Sequence, residues 1–234
     1  ELAARIVARA IRKLPKAMHE YAPDGAYPEG PAYWVYGTSF NVLVLDAYAS
    51  VLGTDFGLGD APGFYQSPRY YLHVTGPTGL FFNYSDCRAR GRIATPMYWF
   101  ARQLGDPGLL YHELALLDAH VKDAEPSADG SQRLLPLALV WSPPLGDVSA
   151  PAERHWHGGG ATPVALFRSG WDDDATFVGI KAGSPGVNHA HMDAGTFVID
   201  ALGTRWAEDL GSQSYHSLES RGIDLWNRRQ DSER

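Results

Sequence analysis

Gly195-Thr196-Phe197-Val198-Ile199-Asp200-Ala201-Leu202-Gly203-Thr204-Arg205-Trp206 alternates for seven residues and then turns back on itself. Side chains two apart share a face of an extended strand. Gly195, Phe197, Ile199 and Ala201 therefore point one way and Thr196, Val198 and Asp200 the other. Leu202-Gly203 stands where a two-residue hairpin turn is expected, and Thr204-Arg205-Trp206 starts the returning strand. Upstream, residues 164–168 and 176–182 read as two more strands between Gly and Asp turns. Before about residue 135 the texture is helical. Leu2, Ile6, Val7, Ala10, Ile11 and Leu14 mark one apolar helix face, which Tyr21-Ala22-Pro23-Asp24-Gly25 interrupts. A second apolar run, residues 40–52, stops at Gly53, and shorter helices are predicted around 63–74, 93–104 and 108–121. Connectors at 125–130 and 142–151 precede the change. Helices first and strands later predict an α+β chain of two domains rather than an interleaved sheet.

Composition narrows the function. A chain of 234 residues, 44% hydrophobic, buries a core and is not disordered. No run approaches eighteen consecutive apolar residues, so no membrane partner is expected. Cys87 is the single cysteine, which excludes an intramolecular disulfide framework and a Cys-rich zinc module. A formal charge of −7 argues against nucleic acid and sits awkwardly with a polyanion unless basic residues gather at one site. The chain opens inside a helical pattern and closes on Asp231-Ser232-Glu233-Arg234, which reads as an internal piece of a longer protein.

Four places have residues suited to chemistry. Pro23-Asp24-Gly25-Ala26-Tyr27-Pro28-Glu29-Gly30-Pro31-Ala32-Tyr33-Trp34 reads as a loop that presents an acid among aromatic faces able to stack on sugars; composition alone favours a rigid turn. Phe82-Asn83-Tyr84-Ser85-Asp86-Cys87 precedes Arg88, Arg90 and Arg92. Nearby positive charge lowers a tyrosine pKa toward acid–base use, and the same arginines could bind an anionic sugar; taken alone, the segment favours a polar loop with a solvated basic face. In Gly186-Val187-Asn188-His189-Ala190-His191-Met192-Asp193, extended backbone would put His189, His191 and Asp193 on one side, as metal ligands or proton carriers. Glu208-Asp209 on the next strand could add a carboxylate. His155-Trp156-His157-Gly158-Gly159-Gly160 matches no nucleotide fingerprint and reads as a linker; no Gly-x-Ser-x-Gly elbow occurs.

Taken together, residues 21–34, Tyr36-Gly37-Thr38-Ser39-Phe40-Asn41, residues 82–87 and residues 188–209 resemble the heparinase II/III-like polysaccharide lyases, most of all the heparinase II branch. The resemblance implies the end of an α/α toroid (1–130), a connector (131–160) and the first strands of an antiparallel β-sandwich (161–234). It implies β-elimination on a uronic-acid polysaccharide of the heparin/heparan sulfate type, in a cleft between toroid and sandwich. By the same resemblance Tyr84 is the acid/base, His189 its partner, and Glu29 a protonated acid on the uronate carboxylate. Asn188, Asn83, Tyr33, Trp34 and Arg88 are the expected substrate contacts. A structural zinc is implied at His191 and Asp209, with a further His beyond the chain end or His216 in its place, and with Glu208 or Asp193 as substitute carboxylates. The implied partner is an anionic polysaccharide, the setting the bacterial periplasm or exterior, and a homodimer is compatible. The alternatives are a lyase on alginate or another uronan, a non-catalytic carbohydrate-binding fragment, and a purely structural fragment.

Overall fold

The computed structural model describes residues 1–123, 133–146 and 148–225; the expected connector at 125–130 lies outside them. The chain condenses into two compact units. Glu1–Ala26, Val35–Leu72 and Arg92–Ala150 form the first, and Tyr27–Trp34, His73–Gly91 and the chain from Pro151 onward form the second.

The first unit is helical, with α1 (Leu2–Met18), α2 (Gly30–Leu52, from Val35 on), α3 (Ser67–His73), α4 (Thr95–Leu104), α5 (Tyr111–Asp123) and α6 (Pro136–Trp141). Helix α2 starts ten residues before the apolar run that announces it. Pro31 falls in its first turn, where a missing N–H costs nothing, so a Gly/Pro-rich stretch that reads as loop is in part helix. By length and composition α2 would also cross a membrane. Its Asn41 and Asp46 side chains are bonded within the unit. Asn41 Nδ2 donates to the Tyr21 hydroxyl (2.9 Å). Asp46 accepts from Trp99 Nε1 (3.2 Å), Arg102 (2.8 Å) and Trp141 Nε1 (2.9 Å), tying α4 and α6 to it. Helix α4 ends on left-handed Gly105 (φ 62°), whose N–H reaches back to Ala101 and Arg102 carbonyls. At its other end, the buried Glu113 of α5 accepts the Ala94 N–H at 2.7 Å. Phe64 fills the centre, edge-on to Tyr21 (5.0 Å) and tilted against Phe100 (5.1 Å).

The second unit is built on a five-stranded antiparallel sheet in the order β1-β2-β3-β4-β5. Its strands are β1 (His155–Gly158), β2 (Val164–Arg168), β3 (Phe177–Lys181), β4 (Phe197–Ala201) and β5 (Thr204–Ala207). Three strands fall where the alternation places them, and β4 and β5 close through Leu202-Gly203, both at positive φ (53° and 69°). The stretch read as a linker is in part the edge strand β1, because His155–Gly158 pairs along Val164–Phe167.

The more polar face of the sheet is the buried one. Arg168, Lys181 and Asp200 are at most 4% exposed, whereas Phe167, Ile180 and Phe197 on the opposite face are each more than 40% exposed. Residues 73–84 lie across that buried face and explain its charges. Arg168 donates to the carbonyls of His73 (2.8 Å) and Thr75 (2.9 Å). Arg205 donates to those of Phe81 (2.8 Å) and Leu80 (3.2 Å), while Asp200 pairs with Arg205 and accepts from Thr78 (2.6 Å). Buried carbonyls without water require such donors. Gly179 of β3 makes the approach possible: a Cβ there would stand 2.7 Å from the Phe82 ring. The segment is thereby held so that Tyr84, Ser85 and Asp86 meet the long β3–β4 connection.

Candidate active site

That connection carries His189, and the two segments clamp each other. Ser85 (φ 60°) and His189 (φ 58°) both adopt the left-handed conformation that side chains with a Cβ avoid. The Asp86 N–H donates to the His189 carbonyl (3.2 Å), so the strained backbones are bonded together. Such strain persists where surrounding contacts over-determine it, and it clusters at functional sites.

The side chains converge on the same point. His189 Nδ1 lies 2.8 Å from Asp86 Oδ2 and 3.1 Å from the Tyr215 hydroxyl, which itself donates to Asp86 Oδ2 at 2.5 Å. Its ring stacks on Tyr33, with centroids 3.9 Å apart and planes 19° from parallel. The Tyr33 and Tyr215 hydroxyls stand 3.4 Å apart. One residue before His189, Asn188 Nδ2 donates to Glu29 Oε1 at 2.9 Å. Burial lowers the His189 pKa, offset in part by the charge of Glu29, which favours the neutral imidazole that a base requires. Burial, followed by the contact with Tyr33, raises the Tyr215 pKa and keeps that phenol a donor.

On the other side of Asp86, its Oδ1 lies 3.2 Å from His191 Nε2. Ligand atoms of His191, Asp193 and Asp209 all fall within 4.8 Å of one another. One imidazole and two carboxylates form a donor set suited to zinc or a similar divalent ion. The set fits with one restriction: buried Lys181 stands 2.5 Å from Asp193 Oδ1 and already neutralises part of it. Asp209 is held by the Gly211 N–H (2.7 Å) and the Thr196 hydroxyl (3.2 Å). Burial lowers the His191 pKa against the pull of Asp193 and Asp209, which favours the neutral ring that ligation needs. A cavity of about 870 Å³ opens here, with Asp86, Asp193, Glu208 and Asp209 in its wall.

Of the residues expected from sequence, the structure brings together Glu29, Tyr33, Asn188 and His189 in one cluster and His191 with Asp209 in another. Others lie elsewhere. Tyr84 is completely buried and its hydroxyl donates to the Tyr27 carbonyl (2.8 Å). Trp34 is completely buried, so it has no face free to stack on a sugar. Asn83 is buried and donates to the Asp209 carbonyl (3.1 Å), which ties the two loops together. Arg88 is exposed, as is His216, which lies in a short helix, α7 (Tyr215–Glu219). Asp86 and Tyr215 carried no expected role. Asp86 stood inside the Asn83-Tyr84-Ser85-Asp86 motif next to the residue singled out, whereas nothing in the local sequence marked Tyr215.

No protein-family model matches the chain. A stretch of 54 residues, 23% of the chain, is 43% identical to a heparin-sulfate lyase of Pedobacter heparinus and corresponds to 8% of that protein. Among solved structures, a mutant of heparan sulfate lyase HepC from Pedobacter heparinus superposes with a TM-score of 0.56 over 91% of this chain at 21% identity. A heparinase III gene product with methylated lysines superposes with a TM-score of 0.56 over 91% at 18% identity. The chain is similar to heparin and heparan sulfate lyases. It spans about 30% of the length of these two structures, and at such identities their likeness establishes the fold alone. One of these structures is named a heparinase III, and none of the three relatives supports the heparinase II branch in particular.

Proposed function

We propose that this chain carries part of the active site of a polysaccharide lyase that cleaves heparan-sulfate-type uronic-acid chains by β-elimination. The helical unit is then the end of an α/α toroid and the sheet the first strands of a β-sandwich. The observation that carries the reading is the stack of His189 on Tyr33, with Nδ1 held and the Glu29–Asn188 pair one residue away. His189 Nε2 takes the C5 proton of the uronate. The electrons left on C5 form the C4–C5 double bond as the C4–O4 bond breaks, and a tyrosine hydroxyl protonates the departing O4. The geometry favours Tyr33 for that phenol, because Tyr84 is buried and bonded to a carbonyl. Asn188, anchored by one N–H to Glu29, has a second N–H for the uronate carboxylate, and stabilising the enolate-like intermediate there is worth roughly 3–4 kcal/mol. Exposed Arg88 and Arg90 add positive charge to the same unit.

The acidic cavity beside His191 suits a cation better than a sulfated sugar. His191 and Asp209, with Asp193, would hold a divalent ion whose service is to cross-link the His189 loop to the end of β5. The substrate therefore belongs on the Tyr33, Asn188 and Glu29 side. The protein carrying this chain is expected to act outside the cytoplasm, where such polymers occur. The test is incubation with heparan sulfate, heparin, hyaluronan and alginate, followed by the ultraviolet absorbance of the new double bond. Absorbance rising first with heparan sulfate supports the reading; alginate alone would move it to another uronan, and no rise with any of the four would leave a carbohydrate-binding fragment.

A further inference from the structure

We propose that Asp86 is a positioning residue that fixes the tautomer and the orientation of His189, so that the imidazole presents an unprotonated Nε2 to the substrate. This deepens the lyase reading and rests on His189 as its base.

The argument starts from what each neighbour is able to do. Stacking on Tyr33 sets the plane of the His189 ring, but a stack is indifferent to a half-turn that exchanges the two edges of the ring. A directional bond must choose the edge. Asp86 supplies it at 2.8 Å from Nδ1, from a side chain only 5% exposed. The same carboxylate oxygen is also met by the Tyr215 hydroxyl, which donates to Oδ2 at 2.5 Å. Because Oδ2 already accepts from Tyr215, it serves as acceptor in the 2.8 Å contact as well, which puts the proton on Nδ1 of His189 and leaves the lone pair on Nε2. The Tyr215 oxygen, whose own hydrogen points to Asp86, accepts from the same Nδ1–H at 3.1 Å. Asp86 is in turn immobilised by its backbone bond to the His189 carbonyl and by the left-handed turn at Ser85. Carboxylate and imidazole are thus held at both backbone and side chain. Where a buried Asp orients a catalytic His in other enzymes, its amide replacement keeps the geometry and supplies the wrong tautomer.

The test is a two-bond proton–nitrogen correlation spectrum of the protein labelled with ¹⁵N-histidine, the His189 signals being identified by their loss in His189→Gln. The expected parent spectrum has His189 protonated on Nδ1 alone. Asp86→Asn, whose amide is able to donate to Nδ1, shifts the ring toward the Nε2-protonated form. On heparan sulfate, kcat falls by roughly 10²–10⁴-fold, with KM within about threefold of the parent. Asp86→Glu recovers part of both the tautomer and the rate. A parent ring protonated on Nε2, which needs no variant to observe, or a tautomer unchanged in a folded Asp86→Asn, would overturn the proposal. A parent without lyase activity whose tautomer still responds to Asp86→Asn would overturn the lyase reading and leave the positioning role standing.

Discussion

Replacing Glu113 by glutamine removes a titratable carboxyl from the core of the helical unit and keeps an acceptor for the Ala94 N–H. The parent carboxyl is 2% exposed and accepts that N–H at 2.7 Å. Burial pushes its pKa from 4.5 up to about 8, the backbone bond pulling the other way. A pKa raised by folding means that the native state holds the proton more tightly than the unfolded chain. The stabilising contribution is therefore complete below pH 4.5 and is lost as pH rises towards about 8. At about 1.4 kcal/mol per pH unit, the loss across that window is at most on the order of 5 kcal/mol. The assay is urea unfolding of parent and Glu113→Gln at several pH values inside the window, read as the difference between them so that all other titrating groups cancel. The parent is expected to match or exceed the variant at the acid end and to fall below it at the alkaline end. A difference that stays constant across the window would refute the argument, because it would mean that Glu113 is solvated or has a cationic partner.

Other predictions concern the second unit. Tyr33→Phe should lower kcat on heparan sulfate by roughly 10²–10⁴-fold. Tyr84→Phe should instead cost about 0.5–1.5 kcal/mol of stability by removing one of the two hydrogen bonds to the Tyr27 carbonyl, which the Gly30 N–H still meets, with kcat changed by less than about tenfold. The reverse pattern in steady-state kinetics would return the acid–base role to Tyr84. In protein purified without chelator, elemental analysis should find a divalent metal that His191→Ala loses, and chelation should lower the unfolding free energy by about 2–3 kcal/mol. Gly179→Ala should destabilise by roughly 1–3 kcal/mol, measured by thermal unfolding, because its new methyl meets the Phe82 ring.

The local sequence determined most of the secondary structure, because the signals there are short-range. Alternation in Phe197–Ala201 and the Leu202-Gly203 turn are properties of neighbouring residues, and so is the left-handed stop at Gly105. The pairing of Glu29 with Asn188 was legible only as two motifs that each held a polar residue. What tertiary structure alone decided is which face of the sheet is buried. Periodicity separates Phe197 and Ile199 from Val198 and Asp200, and hydrophobicity would turn the first pair inward. The chain buries the second, because carbonyls of residues 73–81 lie across that face and need Arg168 and Arg205, and Arg205 in turn pairs with Asp200. The site follows the same logic. Tyr33, Asp86, His189 and Tyr215 are separated by up to 182 residues, and no pattern in the sequence states which tyrosine reaches the imidazole. Tyr84 carried the motif, yet its ring fills the core while Tyr33 and Tyr215 meet His189. Hydrogen bonds are made by atoms that folding brings within about 3 Å, and only the folded chain shows which carboxylate and which phenols those are.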